Sequence, residues 1–122
     1  MLQILKRKDT DGYQHIIDKL GLSSIDTEIS ESIEDGAVTG YCIYRLTPDG
    51  LFIYDVKAND LTTYDGVVSA VLFLAALKGV EKARFLLENK LNVITLGFIT
   101  MDSDVLDPIS NVLGGCSGCS NK

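Results

Sequence analysis

The chain has 122 residues, enough for one domain with a real core and no staples. Its 46% hydrophobic content excludes a disordered chain, and its net charge of −6 with no basic stripe argues against nucleic acid or anionic membrane as the main partner. The longest unbroken apolar run, Ala70 to Leu77, is eight residues, far short of the roughly twenty a membrane span needs. The N-terminus "MLQILKRKDT" lacks an apolar run of signal-peptide length, so the expected location is cytoplasmic. Three cysteines are too few for a disulfide scaffold and suit a reducing compartment.

Leu2–Arg7 starts with apolar-polar alternation and reads as a strand. Tyr13, Ile16, Ile17 and Leu20 fall at helical spacing, and Gly21 stands where a helix stops. Three strands follow, Ile29–Ile33, Val38–Leu46 and Leu51–Val56. Their turns are marked by Asp35-Gly36, a hairpin dipeptide, and by Pro48-Asp49-Gly50.

From Thr62 the period becomes helical and runs to Leu77. The helix is apolar on nearly every side, so Val67–Leu77 is expected to be buried almost throughout and needs cover beyond the sheet. A second subunit is one source of cover, which gives the expectation of a homodimer with Phe73, Phe85 and Phe98 near the interface. Thr62-Thr63-Tyr64-Asp65 has the pattern of a capping box, so Asp65 is expected to cap this helix. Ala83–Leu87 reads as a strand, "LNVITLGF" as a short helix ending at Gly97, and Phe98–Met101 as a final strand. Pro108 stands at a helix start. The resulting fold class is α+β. One domain spans 1–113, and 114–122 is a Gly/Ser/Cys tail.

This order resembles the GNAT N-acetyltransferase superfamily, whose mixed and mostly antiparallel sheet is flanked by helices. "EDGAVTGYCIYRL" is similar to the family's hairpin, "LFIYDVKAND" to its central strand and "KLNVITLGFIT" to its late short helix ending in Leu96-Gly97-Phe98. The resemblance implies acyl transfer from acetyl-CoA or another acyl-CoA to an amine. By analogy it places the acyl-pantetheine arm of coenzyme A along the backbone of Asp55, Val56 and Lys57; a carboxylate such as Asp55, or a water, is then expected to take the amine proton, and a tyrosine such as Tyr64 to protonate the leaving thiolate. The family holds the pyrophosphate with Arg/Gln-x-x-Gly-x-Gly/Ala. With Gly66 as the first glycine, Thr63 takes the arginine place and Val68 the second small place, so the pyrophosphate loop is degenerate. A carboxylate in that first turn also repels an anion. The alternative reading is a non-catalytic GNAT-like module that binds a small-molecule ligand or dimerises.

Other residues offer chemistry. Cys116 and Cys119 form a C-terminal CxxC, open to three readings: an inert tail, a redox pair, or a thiol or zinc site completed by two tails in a dimer. His15 is the only histidine and reads first as a surface or half-buried residue. Tyr44, Tyr54 and Tyr64 could line a cleft, and Glu31, Glu34 and Asp55 could serve as bases.

Overall fold

The computed structural model describes residues 2–7 and 9–113. The elements run β1 (Leu2–Lys6), α1 (Gln14–Lys19), β2 (Glu28–Glu34), β3 (Ala37–Thr47), β4 (Gly50–Ala58), α2 (Leu61–Leu77), β5 (Ala83–Phe85), α3 (Leu91–Thr95), β6 (Val105–Leu106) and α4 (Ser110–Leu113). The strands form one six-stranded sheet in sequence order. Every neighbouring pair is antiparallel except β4 and β5, which are parallel. That pair needs a crossover, and α2 supplies it.

Local chemistry explains the meander. Asp35 and Gly36 both have positive φ, 54° and 84°, as a two-residue I′ hairpin turn requires. Successive side chains of β3 then serve two cores. Cys42 and Tyr44 are buried on the α2 face, while Tyr41 and Ile43 pack on the α1 face with Tyr13, Ile17 and Ile29.

Helix α2 is covered largely within the chain. Val67, Val68, Val71, Leu72 and Ala75 are buried against the sheet and against Phe85, Val93, Phe98, Ile99, Leu106 and Ile109. Two expectations change here. Phe85 and Phe98 stack on each other at 6.2 Å inside this core, so neither faces a second subunit. The helix is not buried throughout, because Phe73 and Leu77 are exposed and Leu74 is only half-buried.

The final strand also moves. Phe98–Met101 is not a strand. Gly97 takes φ 85° and ends α3, and the Phe98 N–H then donates to the Val93 carbonyl at 2.9 Å. Phe98 and Ile99 both drop into the core, which made the segment look strand-like. The sixth strand is Val105–Leu106. Cys116 and Cys119 lie outside the described residues. No described helix is long and apolar enough to cross a membrane.

Candidate functional site

The parallel pairing of β4 with β5 covers only Leu51 to Ile53, opposite Ala83 to Phe85. Its last contact is the Leu86 N–H donating to the Ile53 carbonyl at 2.8 Å. β4 continues to Ala58 with β3 alone as its partner. The two strands therefore part beyond Ile53 and Phe85, leaving a slot along β4.

A bulge marks where they part. Ile43 pairs with Asp55 and Tyr44 with Ile53, so Tyr54 is the extra residue on β4. The phase of the ladder is set from both ends. The Leu51 N–H and the Ile53 carbonyl point to the β5 side. The Asn59 N–H donates to the Thr39 carbonyl of β3 at 2.9 Å. Alternation then turns Asp55 and Lys57 toward β3 and leaves the backbone N–H and C=O of Val56 and Ala58 facing the slot. Gly40 lets β3 approach here. A Cβ on Gly40 would lie 2.7 Å from the Lys57 carbonyl oxygen and 3.0 Å from the Ala58 Cβ.

The helix start beside the slot is built differently. Only Asn59 and Asp60 separate β4 from α2. Asp60 is the N-cap, and its Oδ1 accepts the Thr63 N–H at 2.7 Å. Backbone donation from Thr63, the Thr63 hydroxyl and then donation from Thr62 hold the Asp60 carboxyl below its usual range. This corrects the expectation for Asp65. That residue lies one turn further on, exposed, and accepts the Ser69 hydroxyl at 3.1 Å. The capping-box pattern misled because the helix starts earlier, at Leu61, behind an aspartate that is an equally good cap.

Coenzyme A does not fit this helix start. A diphosphate there needs free N–H groups on a loop and no competing anion. The loop is two residues long, the Asp60 carboxylate sits at the helix start and takes the Thr63 N–H, and no arginine or lysine lies between Asn59 and Leu77. Thr63 is buried in the first turn, Gly66 lies deeper in the helix, and Val68 is fully buried in the core.

On the α1 face a cavity of about 450 Å³ is lined by residues including Arg7, Tyr13, His15, Glu31, Tyr41 and Lys57. Glu31 shares a strand face with Ile29 and is buried, 6% exposed. Its Oε2 accepts the Tyr13 hydroxyl and Arg7 Nη1. Tyr13 and Tyr41 meet edge to face at 5.0 Å, and Tyr41 donates to Asp55 Oδ2 at 2.9 Å. Burial first, then these carboxylate partners, pushes both phenols well above their ordinary value, so they act as donors and not as bases. The Arg7 Nε is buried without a hydrogen-bond partner among the described residues. A larger concavity of about 780 Å³ shares Arg7 and Asp11 with it and is lined by the loops around Asp9 and Ile25 and by the start of β2.

The expected catalytic pair thus straddles β4. Asp55 is half-buried on the α1 face. Tyr64 is 5% exposed in the α2-side core, near enough to Asp55 to feel its charge. Burial first, then Cys42 and Asp55, pushes the Tyr64 hydroxyl up to about 12. Burial likewise raises the Cys42 thiol and keeps it neutral. Among the described residues no group of three or more His, Cys, Asp or Glu could hold a metal. Sequence reasoning missed Arg7, Tyr13 and Tyr41. For Glu31 the available signal was a carboxylate in period-two register with Ile29 and Ile33.

No protein-family model matches this chain, and a search of curated proteins finds no significant relative. Solved structures do match. Ribosomal-protein-alanine N-acetyltransferase from Brucella melitensis biovar Abortus 2308 is similar at a TM-score of 0.63 and 10% identity, over 85% of this chain and 94% of that one. An aminoglycoside acetyltransferase from an uncultured soil metagenomic sample, in complex with sisomicin, gives a TM-score of 0.54 and 13% identity, over 80% and 84%. A protein assigned to the GNAT family from Desulfovibrio desulfuricans gives 0.51 and 14%, over 70% and 72%. The fold is GNAT-like.

Proposed function

We propose that this chain is an acyl-transfer domain of the GNAT type that moves an acyl group from a thioester to a small amine. The observation that carries it is the slot at the β4 bulge, beside a cavity on the α1 face that Glu31 and Tyr41 line and from which Tyr41 reaches Asp55 of β4. In this reading the thioester lies along Val56, whose N–H accommodates the charge that develops on the carbonyl oxygen. The amine enters beside Asp55, Tyr41 and Glu31. Its nitrogen attacks the carbonyl carbon. The C–N bond forms, the C–S bond breaks, and one amine proton passes to Asp55. Tyr64 stands on the far side as a hydrogen-bond donor to the departing sulfur. With a hydroxyl near 12 it does not give its proton up to a thiolate of ordinary pKa, about 8.5, so the thiolate takes a proton from the buffer acid in solution, into which Asp55 releases the one it received. The sisomicin-bound neighbour supports a small amine as the acceptor class.

A second reading is a ligand-binding domain without turnover. It is favoured by the same helix start, where Asp60 stands in the way of the family's donor. One experiment separates the two. The protein is incubated with S-acetylpantetheine, acetyl-CoA and a panel of primary amines, and the amide product is measured by mass spectrometry. Transfer predicts product, and a fall of about 10²–10⁴-fold in Asp55→Asn, as for loss of a general base. No product above the buffer rate with any amine would leave the binding reading.

A further inference from the structure

The slot and the helix start ask for different ligand ends. Along β4 the N–H and C=O of Val56 and Ala58 repeat a donor and an acceptor about 7 Å apart, two residues of strand. A chain with secondary amides at similar spacing pairs with that edge as a strand would. The side chains beside it are apolar, because Val56 and Ala58 pack on the α2-side core. The edge then runs through Asn59 into Asp60, an anion held ionised by the helix it caps. An arm bearing a diphosphate brings its negative charge to that carboxylate and finds no lysine or arginine in the α2 stretch to offset it.

We infer that the slot takes an acyl thioester carried on a short, neutral, amide-bearing arm, and that Asp60 discriminates against the nucleoside-diphosphate-bearing form of the same arm. This rests on the reading of the slot as a thioester site, but it does not depend on turnover. The arm ends in a neutral hydroxyl, which can donate to Asp60 where a phosphate cannot.

The test is a calorimetric titration of the full chain with S-acetylpantetheine and with acetyl-CoA, alongside the Asp60→Asn variant. Asparagine caps a helix about as well as aspartate, so the fold is retained while the charge is lost. The expected result is S-acetylpantetheine bound at least as tightly as acetyl-CoA by the native chain. Asp60→Asn then tightens acetyl-CoA several-fold and does not tighten S-acetylpantetheine, whose hydroxyl loses a charged acceptor. Acetyl-CoA bound about tenfold or more tightly by the native chain would overturn the inference, since the diphosphate would be contributing about 1.4 kcal/mol. The acyl-transfer reading would survive that outcome. A variant with an unchanged ratio of affinities overturns the role given to Asp60. Binding of neither probe overturns both the inference and the thioester reading. A measured preference without any amide product would leave the inference standing and remove transfer.

Discussion

Two neighbouring stretches of backbone treat their polar groups in opposite ways. From Tyr54 to Ala58, β4 has a partner on one side only, and Val56 and Ala58 keep free groups on the other. At the start of α2, by contrast, the Thr63 N–H is taken up by the Asp60 side chain of the chain itself. The first feature comes from strand geometry, a bulge and the early end of β5. Many sequences can produce it. The second depends on one carboxylate and a two-residue connection. A fold can therefore keep an open groove along a strand while a single cap closes the end of it.

The comparison can be broken most sharply by proline. Lys57 faces β3, so Lys57→Pro removes a ladder hydrogen bond and strands a carbonyl, at about 2–4 kcal/mol. Val56 faces the slot, so Val56→Pro costs under about 1 kcal/mol, as on an edge strand. Chemical denaturation of the two variants reads the difference. Equal losses would mean that the slot side of β4 is paired after all.

Gly40→Ala comes next. Its new Cβ meets Lys57 backbone, which cannot swing aside, so the expected loss is about 1–3 kcal/mol. A neutral result would show that β3 and β4 are looser at the bulge than this geometry allows.

The Tyr13 hydroxyl binds a buried carboxylate, and Tyr13→Phe leaves Glu31 short of a donor. Loss of a hydrogen bond to a charged group is worth about 1.5–3 kcal/mol, and here Arg7 still pairs with Glu31, so the lower end is expected. Guanidinium denaturation checks it.

The helix start gives the smallest effects. Asp60→Ala lowers the melting temperature at neutral pH, whereas Asp65→Ala stays within about 0.5 kcal/mol of the native chain. The sign with pH follows from the depressed Asp60 carboxyl. Its contribution is present above the unfolded carboxyl value, near 3.9, and is lost as pH falls through the lower folded value. Melting curves from pH 6 to pH 2 should show this acid loss shrink in Asp60→Asn. A loss that is the same in both proteins would assign it to other carboxylates.

Much of this was legible in the sequence. The hairpin at Asp35-Gly36, the meander, the long apolar helix and the strand after it follow from turn chemistry and periodicity, which are local signals, whereas the parallel pairing of that strand with β4 is a tertiary feature that no local signal carries. The fold they compose is observed. The cap was misread by one turn, because Asp60 and Asp65 both suit a helix start and only the hydrogen bonds choose between them. The late strand was misread because Phe98 and Ile99 are both apolar for core packing, which mimics a buried strand. The α1-face cluster escaped because Arg7, Tyr13, Glu31, Tyr41 and Asp55 come from four separate elements and loops. No spacing within the chain announces that they meet.

On this geometry β4 offers a free edge at Val56 and Ala58. Amide hydrogen exchange, resolved by residue, tests it most directly. Fast exchange is expected at Val56 and Ala58 in the free protein, with strong protection at Asp55 and Lys57 and new protection at Val56 when S-acetylpantetheine is added. Equal protection at all four amides without ligand would contradict it, because the slot would then be filled by the chain's own backbone.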